Sequence, residues 1–559
     1  MTGTATVQET LAADLAGFDT SCVFGLMGED TAPLVASLSE LPGVSYFAMR
    51  HEAAAVMAAG GYAWAAGRLG VAVLSRGPGF TNAITAAVTA IKAGWPVLLL
   101  AGTAVETGDL RPDLKSVDQA AIASAIGLRY VEVGDAAGAR RDLARAAALA
   151  QGGRPTLLAI PPSVLRSPAP EQVTTPVPRS PTNDVERTEP SPSEVERLAE
   201  LLGAAERPLV LAGRGAIAAR AELEQLAEQT GALLGTTLQA RDLFSGHRLN
   251  LGIVGGFAAD SVRPLLADVD LVVAFGASLT SWTMAFGTLF ADATIVQVDH
   301  DADRLGVYRP GVVGIAADAA ATARRLNGTL PPRATSSPLH APEVLELLAQ
   351  PRYAGDDESA PGAADPRIIS TLLDELLPPE RVIVTDAGHH FGFPAMYVAG
   401  AGPDSYCQTT SYASIGLGLG AGIGATMARP RRPTVLFVGD GGLMNGLGDL
   451  ETLARYDVPL IVIVMNDGAL GAERHSLELG GLPSTQAVFG DVDFAGLARA
   501  LHIKAVTITS PAELSELAPS FTARTQPFLI DCKVQGEIRV PWLVEVVRAR
   551  AAAHAAGSP

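Results

Sequence analysis

Short apolar runs alternate with helix-like stretches along most of the chain. Each run ends in a turn, and the segment that follows carries apolar residues at helical spacing. Because continuous apolar runs separated by helices are typical of parallel strands buried on both faces of a sheet, we expect parallel sheets covered by helices. The clearest predicted strands are Val71–Leu74, Pro96–Ala101, Leu209–Ala212, Leu271–Phe275, Thr294–Val298, Val382–Thr385, Thr434–Val438 and Leu460–Met465.

Two segments interrupt this pattern. Residues 166–194 and residues 327–365 are rich in proline, serine, threonine and charge, a composition typical of extended, solvated linkers. They divide the chain into predicted domains at residues 1–165, 195–326 and 366–559. The fold class that follows is α/β, with three doubly wound parallel-sheet domains.

The charge balance limits the kinds of partner. The 559 residues include 59 Asp and Glu against 41 Lys and Arg, a formal net charge of −18, and 48% of the residues are apolar. So much apolar content argues against disorder. A surface this acidic repels nucleic acid and anionic membranes, so neither is expected as a partner.

Cysteine content and hydropathy indicate the compartment. Cys22, Cys407 and Cys532 lie far apart and form no Cys-x-x-Cys pair, which argues against a disulfide framework or a cysteine-ligated metal. The N-terminus lacks the pattern of a signal peptide. The best membrane candidate, Ala413–Ala428, has only 16 residues and five glycines, so a buried, closely packed helix is the better interpretation. We expect a soluble, cytoplasmic protein.

The strongest chemical signal lies in the third predicted domain. One predicted strand ends in the run Gly-Asp-Gly-Gly that begins at Gly439, and a later strand ends in Asn-Asp-Gly-Ala, which finishes at Ala469. If these strands are adjacent and parallel, Asp440 and Asp467 emerge side by side. Two carboxylates and a free carbonyl suit a hard divalent cation, and glycine N–H groups at a helix start suit an anion. The pattern indicates a metal–diphosphate site; the alternative is a glycine turn that only joins a strand to a helix.

Three segments of the chain resemble sequence motifs of a known family, and they occur in the same order along the chain as in that family. The Gly-Asp-Gly and Asn-Asp runs resemble the thiamine-diphosphate signature. Residues 49–63 (MRHEAAAVMAAGGYA) resemble the segment that carries the activating glutamate of that family, and Ser75–Asn82 (SRGPGFTN) resembles its GPGxTN turn. The chain is thereby identified as similar to the acetolactate-synthase-like superfamily of thiamine-diphosphate enzymes, which includes 2-oxo acid decarboxylases and carboligases.

The resemblance implies roles for individual acidic residues. Glu52 would hydrogen-bond the pyrimidine nitrogen N1′ and promote proton removal from thiazolium C2, a task that a dry pocket favours. Asp440, Asp467 and the carbonyl of Ala469 would hold Mg²⁺ against the diphosphate. Many relatives carry Asn where this chain carries Asp467. For Glu52 and its neighbour His51, the alternative is a surface pair that opens a helix.

The resemblance also implies contacts with the rest of the cofactor. Ile415 falls at the position of the aliphatic wedge beneath the bent cofactor, and the Ala413 carbonyl would face the 4′-amino group. His390 would be a phosphate-side contact or a substrate-side acid/base. Plain helix core and a satisfied structural histidine are the alternatives. Glu52 and His390 are the predicted catalytic residues, and the predicted cofactor contacts are Glu52, Gly77, Asn82, His390, Ala413, Ile415, Gly439, Asp440, Gly441, Gly442, Asp467 and Ala469.

Subunit organisation and the central domain complete the prediction. In this family the pyrimidine and diphosphate half-sites lie on different subunits, which implies a homodimer or homotetramer with the site at the interface. The run from Gly213 to Ala218 follows a predicted strand as GxGxxA, a weak dinucleotide signal. Because Gly276–Ser281 departs from the run seen in FAD-binding synthases, the predicted cofactors are thiamine diphosphate and Mg²⁺ without FAD.

The predicted reaction is decarboxylation of a small-molecule 2-oxo acid, followed by protonation or carboligation. Lys115 lies in the run Leu114–Gln119, whose sequence departs from the corresponding run of the acetolactate synthases. Lys115 either recognises an anionic substrate group or is a solvated loop charge. An FAD-dependent 2-oxo acid oxidase, an acyl-CoA lyase or decarboxylase, and a non-catalytic regulatory subunit remain alternatives. The donor, the acceptor and the choice between protonation and ligation stay open.

Overall fold

Three parallel sheets organise the chain in a computed structural model that describes residues 5–103, 114–170, 188–331, 337–353, 355–521 and 525–555. Each sheet has six strands, and every described strand pair is parallel. The predicted α/β class with three doubly wound sheets is therefore confirmed. Most of the first predicted linker, residues 171–187, lies outside the described residues, as do 332–336 and 354 of the second. The predicted domain boundaries stay predictions.

The N-terminal sheet has the strand order β2-β1-β3-β4-β6-β5. Its strands are β1 (Cys22–Leu26), β2 (Ser45–Ala48), β3 (Gly70–Leu74), β4 (Val97–Gly102), β5 (Arg129–Glu132) and β6 (Thr156–Ile160). Its helices are α1 (Val7–Ala16), α2 (Ala32–Ser39), α3 (Glu52–Ala66), α4 (Pro78–Asn82), α5 (Ile84–Ala93), α6 (Gln119–Ile126), α7 (Ala139–Gln151) and α8 (Pro162–Leu165).

The central sheet has the order β12-β11-β10-β7-β8-β9, which reverses direction between β7 and β10. Its strands are β7 (Pro208–Ala212), β8 (Leu233–Thr236), β9 (Asn250–Ile253), β10 (Leu271–Phe275), β11 (Thr294–Asp299) and β12 (Val313–Ala316). The helices around it are α9 (Pro192–Ala204), α10 (Arg220–Thr230), α11 (Arg263–Ala267), α12 (Ala319–Thr329) and α13 (Pro342–Leu348).

The C-terminal sheet, ordered β14-β13-β15-β16-β18-β17, repeats the strand order of the N-terminal one. Its strands are β13 (Val382–Thr385), β14 (Tyr406–Gln408), β15 (Thr434–Gly439), β16 (Leu460–Asn466), β17 (Lys504–Ile508) and β18 (Phe528–Lys533). Its helices are α14 (Pro366–Leu376), α15 (Gly392–Tyr397), α16 (Gly418–Ala428), α17 (Asp440–Asn445), α18 (Leu450–Arg455), α19 (Gly471–Leu479), α20 (Phe494–Ala500), α21 (Pro511–Glu516) and α22 (Pro541–Ala555).

All eight strands predicted from apolar runs are present, with ends that differ by at most one residue. Ten strands were not predicted. Edge strands such as β2 (SYFA) and β12 (VGIA) have a single buried residue each and lack a continuous apolar run. The inner strands β1, β6, β8 and β18 were also missed, although almost all of their residues are buried. Among the described helices, none combines the length and the apolar content needed to cross a bilayer.

The prediction of one helix over Ala413–Ala428 was only partly right. The buried helix α16 begins at Gly418, whereas Ala413 adopts a left-handed conformation with φ of 57°. The segment between them stays irregular because the backbone N–H groups of residues 416–418 are bound by a side chain from another loop, Asp386.

Helices α3 and α16 pack so closely that backbone meets backbone. A Cβ atom at Gly424 would lie 1.8 Å from the carbonyl oxygen of Ala58, and a Cβ atom at Gly61 would lie 2.1 Å from that of Ala421. Only glycine permits such an approach. Around this contact, apolar side chains of the N-terminal and C-terminal domains form one continuous core.

Helix α22 begins against the central domain. The ring of Trp542 lies 5.2 Å from that of Trp282 and 5.9 Å from that of Phe391, measured between centroids. Arg263 in α11 forms an ion pair with Glu545 in α22. The start of the last helix therefore joins the central and C-terminal domains.

We predict that Gly424→Ala lowers the free energy of unfolding by about 3 kcal/mol or more, because the added methyl group meets backbone that cannot rotate away. Chemical denaturation followed by circular dichroism measures the change. Gly203→Ala in helix α9 is the matched control: no atom lies within 4 Å of its Cβ position, so it should be neutral or stabilising by up to about 1 kcal/mol. Equal stability of the two variants would contradict the backbone contact.

Candidate functional site

An open cavity lies where strands β13, β15 and β16 end. The carboxyl ends of parallel strands are the usual place for ligands in such sheets. The lining residues all belong to the C-terminal domain: Ala387, Gly388, His389, His390, Ile415, Gly439, Asp440, Gly441, Gly442, Met465, Asp467, Ala469, Leu470, Gly471, Ala472 and Glu473.

Two carboxylates, the buried Asp440 and the partly buried Asp467, line this cavity next to each other. Strands β15 and β16 are parallel neighbours, which places Asp440 beside Asp467. The N–H of Ala469 donates to Asp440 Oδ2 and to Asp467 Oδ1, each at 3.2 Å. Burial raises the pKa of Asp440 to about 6, and burial together with the charge of Asp440 raises the pKa of Asp467 to about 7.

This pair suits a divalent cation. A positive charge between the two groups would offset the cost of burying them and the repulsion that helps to raise the pKa of Asp467, and oxygen ligands are what Mg²⁺ prefers. Within the described ranges, no group of three or more His, Cys, Asp or Glu side chains converges, so backbone or cofactor oxygens would have to complete the ligand set.

The glycine turn after β15 is packed tightly. A Cβ atom at Gly439 would lie 2.8 Å from His390 Nδ1, and one at Gly442 would lie 2.5 Å from Asp386 Oδ2. The N–H of Gly441 donates to Asp440 Oδ1 at 2.8 Å, so it orients that carboxylate, and Gly441 also lines the cavity. Its predicted contact with a cofactor stays a prediction. The glycines are required here chiefly by space.

His390 lines the cavity as a buried ring. Burial lowers its pKa to about 4, and its ring hydrogen-bonds to the backbone of Phe437. Its Nε2 is buried without a hydrogen-bond partner among the described residues. A buried ring nitrogen without a partner is costly, so a ligand in the cavity is expected to supply one.

His389 is a cavity residue that was not singled out from the sequence. Its Nε2 accepts the N–H of Val540 at 3.1 Å, and its ring centroid lies 4.7 Å from that of His475. Burial is the main cause that lowers the pKa of His389 well below its usual value. The pair of histidines was visible in the sequence, but the contact with Val540, 151 residues away, was not.

Ala413 and Ile415 belong to the irregular segment before α16. Ile415 lines the cavity, and the left-handed Ala413 lies two residues before it. The plain-helix alternative for these two residues is thereby ruled out, since the helix begins only at Gly418.

Glu52 and Asn82 form a second group in the N-terminal domain. Glu52 is the first residue of α3, and His51 caps the helix by accepting the Ala53 N–H on its ring nitrogen. Glu52 is only 7% exposed, and Asn82 Nδ2 donates to its Oε2 at 3.1 Å. The surface-pair alternative therefore fails for Glu52.

Gly77 lies in the turn between β3 and α4 and packs against the backbone of Lys115. With φ of +59°, its Cβ position lies 2.1 Å from the Lys115 carbonyl, and its N–H donates to Gln119 Oε1 at 3.1 Å. Lys115 Nζ lies 3.4 Å from Glu29 Oε1, an exposed carboxylate that also pairs with Arg76. Gly77 thus shapes the turn through close packing.

The glycines of the central GxGxxA run pack against another turn. A Cβ atom at Gly213 would lie 2.2 Å from the carbonyl oxygen of Gly276, and one at Gly215 would lie 2.9 Å from Gly276 Cα. The two turns meet where β7 and β10 lie side by side, at the reversal of strand order. Packing between turns accounts for these glycines.

Comparisons with known proteins cover most of the chain. Three models of the thiamine pyrophosphate enzymes match in order: the N-terminal TPP binding domain at residues 5–122, the central domain at 195–326 and the C-terminal TPP binding domain at 386–532.

Curated relatives match along nearly their full lengths. A probable 2-ketoarginine decarboxylase of Pseudomonas aeruginosa is 30% identical over 92% of this chain and 91% of its own. A sulfoacetaldehyde acetyltransferase of Rhodobacter capsulatus is 28% identical, with 94% and 93% covered. A probable acetolactate synthase large subunit of Methanocaldococcus jannaschii is 27% identical, with 93% and 90% covered.

A solved structure shares the fold. The thiamine diphosphate-dependent 4-hydroxybenzoylformate decarboxylase of Rhodococcus jostii RHA1 superposes with a TM-score of 0.78, covering 95% of this chain and 99% of its own at 22% identity. With three domain models matched in order and a 30% identical relative along nearly its whole length, the chain belongs to the thiamine pyrophosphate enzymes, in the acetolactate-synthase-like group that acts on 2-oxo acids.

Proposed function

We propose that this enzyme uses thiamine diphosphate and Mg²⁺ to decarboxylate a small 2-oxo acid and then protonates the product or transfers it to a second carbonyl compound. The observation that carries the proposal is the Asp440–Asp467 pair in the cavity, in which both carboxylates have raised pKa values. The bound cofactor supplies the electron sink for the carbanion that loss of carbon dioxide generates. No flavin is required by this proposal.

At the diphosphate end, Asp440, Asp467 and the Ala469 carbonyl would hold Mg²⁺. His390 would contact the diphosphate through its unpartnered Nε2. An adjacent anion raises the pKa of an imidazole, so the ring that is neutral alone would gain a proton and donate a charged hydrogen bond. This geometry favours the phosphate-side role of His390 over the substrate-side one.

At the pyrimidine end, Glu52 would exchange a proton with N1′. The amide of Asn82 holds one carboxylate oxygen, and burial of the side chain keeps water away from the shared proton. Ile415 would support the cofactor from the cavity wall; its β-branched side chain has few rotamers, which suits a fixed support. The Ala413 carbonyl would face the 4′-amino group.

The two half-sites would come from different subunits of a homodimer or homotetramer. All lining residues of the cavity come from the C-terminal domain, and Glu52 is not among them. Large apolar side chains next to both half-sites are exposed in the single chain, as expected for a surface that a partner covers. They include Met27, Leu114, Tyr412, Met444, Val488 and Phe489.

The first test measures carbon dioxide release from a panel of 2-oxo acids: pyruvate, benzoylformate and 2-ketoarginine, with coupled products analysed in parallel. Glu52→Gln should lower turnover of the accepted acid by at least about a hundredfold, because the amide cannot exchange the proton. Glu132→Gln, at an exposed position in the same domain, is the control and should retain full activity. Undiminished turnover of Glu52→Gln would refute the assigned role.

The second test concerns pH. The folded-state pKa values of Asp440 and Asp467, about 6 and about 7, lie above the ordinary value of 3.8 for an aspartate. The folded protein therefore binds more protons than the unfolded one between about pH 4 and pH 7, and stability without metal falls as pH rises through that window. Mg²⁺ cancels the repulsion, so the rise in Tm that Mg²⁺ produces with thiamine diphosphate present should be small at pH 5.5 and large at pH 8.

Asp467→Asn should flatten this pH dependence, since only Asp440 then titrates. The exposed Asp457→Asn in the same domain should behave as wild type. A Tm increase with Mg²⁺ that is equal at pH 5.5 and pH 8 in the wild type would contradict metal binding by this pair.

The third test asks whether the site is shared between subunits. Glu52→Gln and Asp440→Asn chains carrying different tags are co-expressed, and mixed oligomers are purified through both tags. A mixed dimer has one site with both changes and one with neither, so about half of wild-type activity should return. Chains that carry both changes, mixed with wild type in the same way, are the control. Absence of any recovery in the mixed variants would place both residues in one chain's own site.

A further inference from the structure

Asp386 is a fully buried carboxylate just beneath the cavity. It follows strand β13 directly and is 0% exposed. Its Oδ2 accepts the N–H of Gly416 at 2.7 Å, and its Oδ1 accepts those of Leu417 at 3.2 Å and Gly418 at 3.1 Å. The hydroxyl of Thr409 lies 3.2 Å from Oδ1 as a further donor.

Four donors on two oxygens fit an ionised carboxylate. Burial raises the pKa of Asp386, whereas these N–H and hydroxyl contacts lower it. Three of the donors are consecutive N–H groups that end at Gly418, the first residue of α16, where the helix dipole favours a negative charge. Asp386 thus does for α16 what an N-capping residue does, from 32 residues earlier in the chain.

The bonds of Asp386 fix segments that line the cavity. Its own loop continues into Ala387–His390, and the segment it binds begins at Gly416, next to Ile415. Its Oδ2 also fills the space beside Gly442, where a Cβ atom would lie 2.5 Å away. One carboxylate therefore sets the relative positions of three parts of the site. They are the histidine loop (Ala387–His390), residues 413–418 (the Ile415 segment) and the glycine turn after β15.

We infer that Asp386 is a positioning residue that holds the Ile415 segment in the shape that binds thiamine diphosphate, before the cofactor arrives. This inference rests on the cofactor site assigned under the proposed function. Asp386 acts through Ile415 and Gly416 and does not itself line the cavity. Its effect should therefore be on cofactor affinity and on the conformation of the cofactor-free protein.

Asp386→Asn tests the inference at one atom. The amide oxygen can keep the three donors on Oδ1, but the NH₂ group then faces the N–H of Gly416, so two donors oppose each other across 2.7 Å. In the cofactor-free protein, hydrogen exchange measured by mass spectrometry should speed up in the peptide that contains residues 413–418. The Kd for thiamine diphosphate with Mg²⁺, from quenching of tryptophan fluorescence, should rise about tenfold or more.

The circular dichroism signal that the bound aminopyrimidine acquires in the wild type should weaken in this variant even at saturating cofactor. A purely structural role would lower Tm without changing that signal. Because these measurements report binding, a wild-type protein that binds the cofactor but releases no carbon dioxide would refute the proposed reaction and leave this inference testable.

Asp365→Asn is the matched control. Asp365 is also 0% exposed and caps a helix of the same domain, α14, by accepting the N–H of Arg367 at 2.8 Å. It should lower Tm but leave the Kd, the circular dichroism signal and exchange in residues 413–418 unchanged. If Asp386→Asn lowers Tm in the same way and also leaves those three unchanged, the inference is wrong.

Thr409→Val keeps the test open if Asp386→Asn fails to fold. It removes one donor to Asp386 Oδ1 and leaves the carboxylate in place. The Kd for thiamine diphosphate should rise about threefold, a smaller effect because only one of the four donors to the carboxylate is lost. A folded Thr409→Val protein with the wild-type Kd and wild-type exchange in residues 413–418 would overturn the inference.

Discussion

The close approach of helices α3 and α16 is the constraint on which the rest of the architecture depends. Gly61 and Gly424 remove the side chains that would hold the two backbones apart. The same helices begin next to candidate site residues: α3 begins at Glu52, and α16 begins shortly after Ile415. A single glycine-lined contact thus fixes the orientation of the two TPP binding domains, and it does so with backbone atoms, which cannot adapt as side chains can.

The fold could be predicted largely from the sequence because the buried strands are continuous apolar runs. Strands such as β10 and β13 are buried along their whole length, so their pattern carried the full signal. Edge strands such as β2 were not predicted, since part of each is exposed to solvent, and the buried inner strands β1, β6, β8 and β18 were missed as well. The start of α16 was misplaced for a different reason: its local sequence is helical in character, but the carboxylate of Asp386, distant in sequence, binds the N–H groups that would otherwise extend it.

Some residues of the candidate site could also be predicted from the sequence, and others could not. Asp440, Asp467 and Glu52 were found because short motifs surround them, and the structure places the first two side by side and buries the third next to Asn82. His389 and Asp386 lie in the same short run as the predicted His390 but were given no role of their own, because their partners, Val540 and residues 416–418, come close only in the folded chain. A motif marks the neighbourhood of a ligand, whereas the role of a positioning group depends on tertiary contacts.

The raised pKa values of Asp440 and Asp467 have a consequence for how the enzyme is loaded. Near neutral pH the pair retains part of its protons, and a divalent cation can bind only as those protons leave. If Mg²⁺ binds this pair as proposed, filling the site would exchange hydrogen ions for metal, and the protein would acidify an unbuffered solution as it took up its cofactors. Competition between protons and Mg²⁺ would then link the fraction of active enzyme to the acidity and magnesium content of its surroundings.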